Sequence, residues 1–175
     1  MKRNYHKPKI LIPDKKDLSP APKEEVKRED VELQDFTEAR EELKNYYGIL
    51  KDYIISIQTL DDNDLCLILT NGLDRMFSIP LTLDTLQAHR DNSGIEGTWT
   101  AYFSLLKQSL DTVSLTLTEQ EFKVHYPLMV GAKVTGTFTL DQFEVLGRKR
   151  HEHLQKMLFH SVRGIIAERH KPPAQ

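Results

Sequence analysis

The chain has 175 residues, 39% of them hydrophobic, and its 24 Lys and Arg against 26 Asp and Glu leave a net charge of −2. That length holds one modest domain, and the balance describes an ordinary globular protein with no global attraction for nucleic acid. The sequence contains no apolar run of membrane-spanning length, and Lys2-Arg3 is followed only by the short Ile10-Leu11-Ile12 patch, so an intracellular protein is expected.

Residues 1–34 carry Pro8, Pro13, Pro20 and Pro22 among many Lys, Glu and Asp. Such a segment buries too little apolar surface to order itself, and a disordered basic, proline-containing tail is expected. Within it, Lys7 to Lys16 enclose Ile10, Leu11 and Ile12. That is the composition of a linear motif that adds to a partner's sheet edge or groove, or of an idle solvated tail. Asp35, with Glu38 three residues on, reads as a helix N-cap, and Phe36, Leu43, Tyr46, Tyr47 and Leu50 give that helix an apolar stripe.

Three strands follow, Tyr53 to Leu60, Leu65 to Thr70 and Arg75 to Leu81, joined by Asp61-Asp62-Asn63-Asp64 and by Asn71-Gly72, a strong hairpin signal. Pro80 belongs at a strand end or a sheet edge, where a missing N–H does no harm. The single Cys66 cannot form an internal disulfide, and its place among Leu65, Leu67 and Leu69 predicts a buried structural thiol. Asp61, Asp62 and Asp64 are the residue types of a polar turn, and no acid follows at calcium-loop spacing. Thr82 to Leu86 reads as a short capped helix, and Asp91 to Gly97 as a flexible connection. Trp99, Phe103, Leu106 and Leu110 then share one face of a helix that packs onto a sheet.

Val113, Leu115 and Leu117 alternate with Ser114, Thr116 and Thr118, and Phe122, Val124 and Tyr126 with Lys123 and His125. Glu119-Gln120-Glu121 makes these a hairpin of half-buried strands. A third strand alternates Val134, Phe138 and Leu140 with Thr135, Thr137 and Thr139, with Gly136 in an inward slot and Gly131 and Lys133 at the preceding turn. The reading is therefore α+β: a mainly antiparallel β head, sandwich or half-barrel, over residues 35–140. A helical insert spans 82–111, and a C-terminal stalk helix spans 141–170.

In that last helix Leu154, Met157, Leu158, Ser161, Val162 and Ile165 make a seam of three-and-four spacing, suited to a parallel homodimer or to folding back on its own head. Gly147 and Gly164 each weaken it by about 1 kcal/mol relative to Ala. Arg148, Lys149 and Arg150 could meet phosphates or an acidic partner, while the interspersed Glu144, Glu152 and Glu168 fit a solvated face. His151 and His153, two apart, point to different sides, and no metal site is expected there. With no P-loop, dinucleotide glycine pattern, nucleophile elbow or paired cysteines, no enzyme, cofactor or small-molecule substrate is expected either.

The order β-β-β, α-α, β-β-β, α resembles the superfamily of the ligase IV partner in non-homologous end joining and its paralogues PAXX and XLF. The resemblance is carried by Leu67-Ile68-Leu69-Thr70-Asn71-Gly72 leading to Ile79-Pro80-Leu81, by the Trp99 to Leu110 helix, by Val113 to Glu119, and by Gly136-Thr137-Phe138-Thr139-Leu140-Asp141. It implies a non-enzymatic, nuclear homodimeric scaffold that recruits protein partners, with weak DNA contact through Arg148, Lys149 and Arg150. The same plan is similar to that of centriolar cartwheel and basal-body coiled-coil proteins, and His125-Tyr126-Pro127-Leu128 resembles a segment of the latter. That likeness implies an assembly scaffold of the centrosome or cytoplasm, self-associating through an exposed loop residue for which Met129 is the candidate. A monomeric β-domain interaction adaptor is the third reading.

Overall fold

In the computed structural model, which describes residues 22–60, 64–129 and 131–174, the segments of alternating polarity pair into two antiparallel sheets. β1 (Tyr46–Leu50), β2 (Tyr53–Leu60), β3 (Asp64–Thr70) and β4 (Met76–Pro80) form the larger sheet in chain order. β5 (Leu115–Leu117), β6 (Glu121–Met129) and β7 (Ala132–Thr139) form the smaller one. α1 (Pro22–Glu41) precedes them, α2 (Leu83–Ser93) and α3 (Trp99–Asp111) lie between, and α4 (Gly147–Arg169) follows a 3₁₀ turn at Leu140–Phe143. This is the α+β head with an inserted helix pair and a C-terminal helix.

Period-two alternation gives each strand an inward set. Ile55, Ile57, Leu67, Leu69, Phe77 and Ile79 from the larger sheet meet Phe122, Val124, Tyr126 and Phe138 from the smaller, with Trp99, Tyr102, Phe103 and Leu106 of α3 closing the core. Thr82 and Thr98 cap α2 and α3 by accepting from the backbone N–H three residues on, and Gly94 ends α2 in the left-handed region that favours glycine. Pro80 ends the edge strand β4, as its missing donor requires.

Three expectations change. Residues 22–34, assigned to the tail, belong to α1: Pro22 stands at the first helical position, where proline is well tolerated, and good helix formers follow it. Residues 1–21, including Ile10, Leu11 and Ile12, lie outside the described residues, as do Asp61 and Asp62. Tyr46, Tyr47 and Leu50 are on a strand, not a helix. Asn45 turns the chain at φ 66°, and aromatic and β-branched residues then pair with β2, Tyr46 opposite Ile57 and Leu50 opposite Tyr53. The hairpin that Asn71-Gly72 signals is present, with a five-residue turn. The last β3–β4 pair is Thr70 with Met76, and the Asn71 side chain accepts from the N–H groups of Leu73 and Arg75. Val113 is not inward on a strand: it lies half exposed at φ 53°, where the end of α3 wraps round into β5.

α4 begins on the back of the larger sheet. Backbone pairing of Phe77 with Glu144, the Val145 N–H donated to the Met76 carbonyl at 2.9 Å and the Arg75–Glu144 ion pair at 3.6 Å fasten its approach to β4. Met157 then packs with Leu60, Cys66, Ile68 and Met76 in a second apolar cluster, which makes Cys66 the buried thiol expected.

Candidate interaction surface

The C-terminal helix has two fates along its length. His153 and Met157 are buried and Leu154 packs partly against the second cluster, so the first half of α4 folds onto its own head. Beyond Met157, Leu158, Val162 and Ile165 are 64%, 42% and 55% exposed, and Phe159 and Ile166 are exposed beside them. The proposed seam therefore divides: Met157 and Leu154 serve the head, whereas Leu158, Val162 and Ile165 face solvent.

A second apolar surface lies next to it. On β1 and β2 the residues facing away from the core include Tyr47, Ile49 and Ile54, all exposed, and Ile49 stands directly opposite Ile54 in the strand pairing. Neighbouring Ser56 and Gln58 on the same face are buried. A cavity of 560 Å³ separates this edge from α4, with Asn45 and Tyr47 on one wall and Ser161, Gly164 and Ile165 on the other. Alternation in Tyr46-Tyr47-Gly48-Ile49-Leu50 and the seven-residue spacing of Phe159 and Ile166 were signals for these residues, although neither set stands out before the sheet and helix are docked.

The basic cluster is spoken for in part. Arg148 pairs with Glu152 at 2.9 Å, Arg150 donates to the Asp74 carbonyl in the β3–β4 turn, and Lys149 borders a cavity that also contains Glu144. The three side chains thus belong to three local arrangements rather than one cationic face. Met129 is 81% exposed at the β6–β7 tip, beside a register shift between Pro127 and Met129, with Leu128 also exposed.

Sequence reading did not find a polar cluster that lies in the core. His89 of α2 stacks on Phe138 with ring centres 3.8 Å apart, its Nε2 lies 2.8 Å from the Tyr126 hydroxyl, and that hydroxyl lies 3.3 Å from the Tyr102 hydroxyl. Burial holds the imidazole at about 4, partly offset by the Thr137 backbone, and burial raises both phenols well above their ordinary range. All three are neutral at physiological pH, and the contacts partner His89 Nε2 and the two hydroxyls, whereas His89 Nδ1 is buried without a hydrogen-bond partner.

Among the described residues no group of three His, Cys, Asp or Glu is placed to hold a metal, and no helix is long and apolar enough to cross a membrane. No protein-family model matches the chain, and no curated protein matches it.

Proposed function

We propose that this protein is a non-enzymatic homodimeric scaffold that recruits protein partners in an end-joining type of assembly at nuclear DNA breaks. One observation carries the reading: a helix rooted on a β head leaves Leu158, Val162 and Ile165 exposed at three-and-four spacing, the pattern of a helix with a missing partner. The reading is supported by a helix pair between two sets of strands and by the C-terminal helix, although α1 and a fourth strand in the first set add to the order that the sequence suggests. Weak DNA contact would fall to Lys149 and Arg148, because Arg150 is held by the β3–β4 turn.

Molar mass by light scattering for the whole chain and for Leu158→Asp tests the scaffold. A wild-type dimer that the substitution converts into a folded monomer supports it, and a wild type that stays monomeric at micromolar concentration favours the monomeric adaptor. The assignment to end joining is tested by accumulation of the tagged chain at induced nuclear breaks, with loss in the Leu158→Asp variant. A second reading, a centrosomal or ciliary assembly scaffold, is favoured by Met129, the most exposed large apolar side chain described. It requires self-association or centrosomal placement to be lost on Met129→Asp.

A further inference from the structure

One flank of α4 faces its own head across a cavity of about 450 Å³, the size of a small-molecule site. Lys156, His160 and Arg163 line it from the helix, spaced four and three apart and so on one face, and Lys44 lines it from the turn that joins α1 to β1. Among the described residues no Asp or Glu lines this cavity, and Lys44 and Arg163 take part in no ion pair. Two parts of the fold thus bring three cations and an imidazole to one concave surface with no described carboxylate among them. Like charges held together repel, and a cleft lined by one sign of charge concentrates counter-ions.

The lining suits linked phosphates. A single carboxylate would offset one of three cations, whereas a phosphate carries about two negative charges, and the forked Arg163 guanidinium can meet two of its oxygens at once. Lys156 and Arg163 are seven residues apart, about 10 Å of helix, which two joined phosphates span better than one. Gln58 gives the floor a fixed polar group: it is only 5% exposed, and its amide donates to the Tyr47 hydroxyl at 2.5 Å. Phe159 gives one wall an aromatic ring on which an organic body can stack. Asn45 and His160 also line the cavity between Tyr47 and Ile165, so a ligand with such a body has room to extend.

We propose that this cavity binds a diphosphate group, free or carried on a small organic molecule, through Lys44, Lys156 and Arg163. The site goes beyond the scaffold reading and does not depend on it. A bound diphosphate would tie the far half of α4 to the head, since it neutralises cations that stand on both.

The test is calorimetric titration of the full chain with pyrophosphate at low salt, using Lys44→Gln, Arg163→Gln and, as a control for net charge, Lys133→Gln on β7. All three positions are exposed, so thermal unfolding should report an unchanged fold. Binding is expected, about tenfold weaker in each cavity variant and unchanged in Lys133→Gln, and it should slow amide exchange over 158–169. Absence of binding, affinity indifferent to either cavity variant, equal losses in all three variants, or binding that leaves 158–169 unprotected overturns the proposal. Asp61 and Asp62, next along the chain from Leu60 of the lining, lie outside the described residues. Binding that is seen only after Asp61→Asn with Asp62→Asn would show that the chain neutralises these cations itself, and overturns the proposal too. ADP separates the two sources of the group: tighter binding than pyrophosphate, with the gain removed by Phe159→Ala, assigns an organic diphosphate, and equal or lower affinity assigns the inorganic anion.

Discussion

The ring of His89 fills the space that a side chain on Gly136 would need. A Cβ built at Gly136 falls against His89 Nε2 well inside contact distance and stands 3.0 Å from Tyr126 Cε2. Glycine is required here by close approach, since its φ is unexceptional. Gly136→Ala must therefore push the imidazole off Phe138 and out of reach of Tyr126, and should cost about 1–3 kcal/mol in urea unfolding, the range for overpacked cores. A variant as stable as the wild type would show that α2 is not fixed by this contact.

His89 also sets an acid response. Its folded pKa, about 4, lies below the ordinary 6.5, so between those values the unfolded chain binds a proton that the folded chain refuses. Stability that is complete above pH 6.5 is lost as the pH falls toward 4, by about 3 kcal/mol in full. Asp35 contributes only below its ordinary 3.8, outside this window. Comparing unfolding at pH 7.5 and pH 4.5 should show a smaller loss for His89→Gln than for the wild type; equal losses would assign the effect elsewhere.

Asp35 ties two distant helices together. From within α1 its carboxylate accepts from the N–H of Trp99 at 2.8 Å and from the hydroxyl and N–H of Thr100, in the first turn of α3. The Thr100 hydroxyl holds its pKa below the usual value, ahead of the opposing effect of burial. Phe36 on the next position meets Trp99 edge-to-face at 5.0 Å. Asp35→Ala should cost about 1 kcal/mol, as for a lost helix cap, and change the emission of the only tryptophan. Unaltered fluorescence and stability would mean that α1 is held by Phe36, Ala39 and Leu43 alone.

Val113 is a β-branched residue in the left-handed region and half exposed, so little packing opposes its replacement. Val113→Gly is expected to raise stability by about 1 kcal/mol, visible as a higher Tm. A lower Tm would show that its remaining contacts outweigh the backbone strain.

The strands were legible because inward and outward residues alternate along Tyr53–Leu60, Phe122–Tyr126 and Val134–Phe138, and the inward slot at Gly136 was legible for the same reason. Asp35 is not the N-cap that its spacing to Glu38 predicts: it lies inside α1, and its carboxylate accepts from the first turn of α3, which Thr98 caps, a contact across 64 positions that sequence spacing cannot report. The extent of α1 was hidden because its first half has no apolar stripe and rests on helix propensity. Tyr46–Leu50 misled because a short apolar run satisfies either period, and only pairing with β2 decides it. The seam of α4 was visible as a pattern, yet which members serve the head depended on where Met157 lands.

The root of α4 is held on both sides of its start: Glu144 and Val145 bind β4, and Arg150, in the first turn, reaches the Asp74 carbonyl. The bearing of the helix is consequently inherited from the β3–β4 hairpin. Lengthening or shortening that loop would swing everything attached farther along the helix through an arc, the way moving a hinge pin re-hangs a door, while leaving the core of the head as it is.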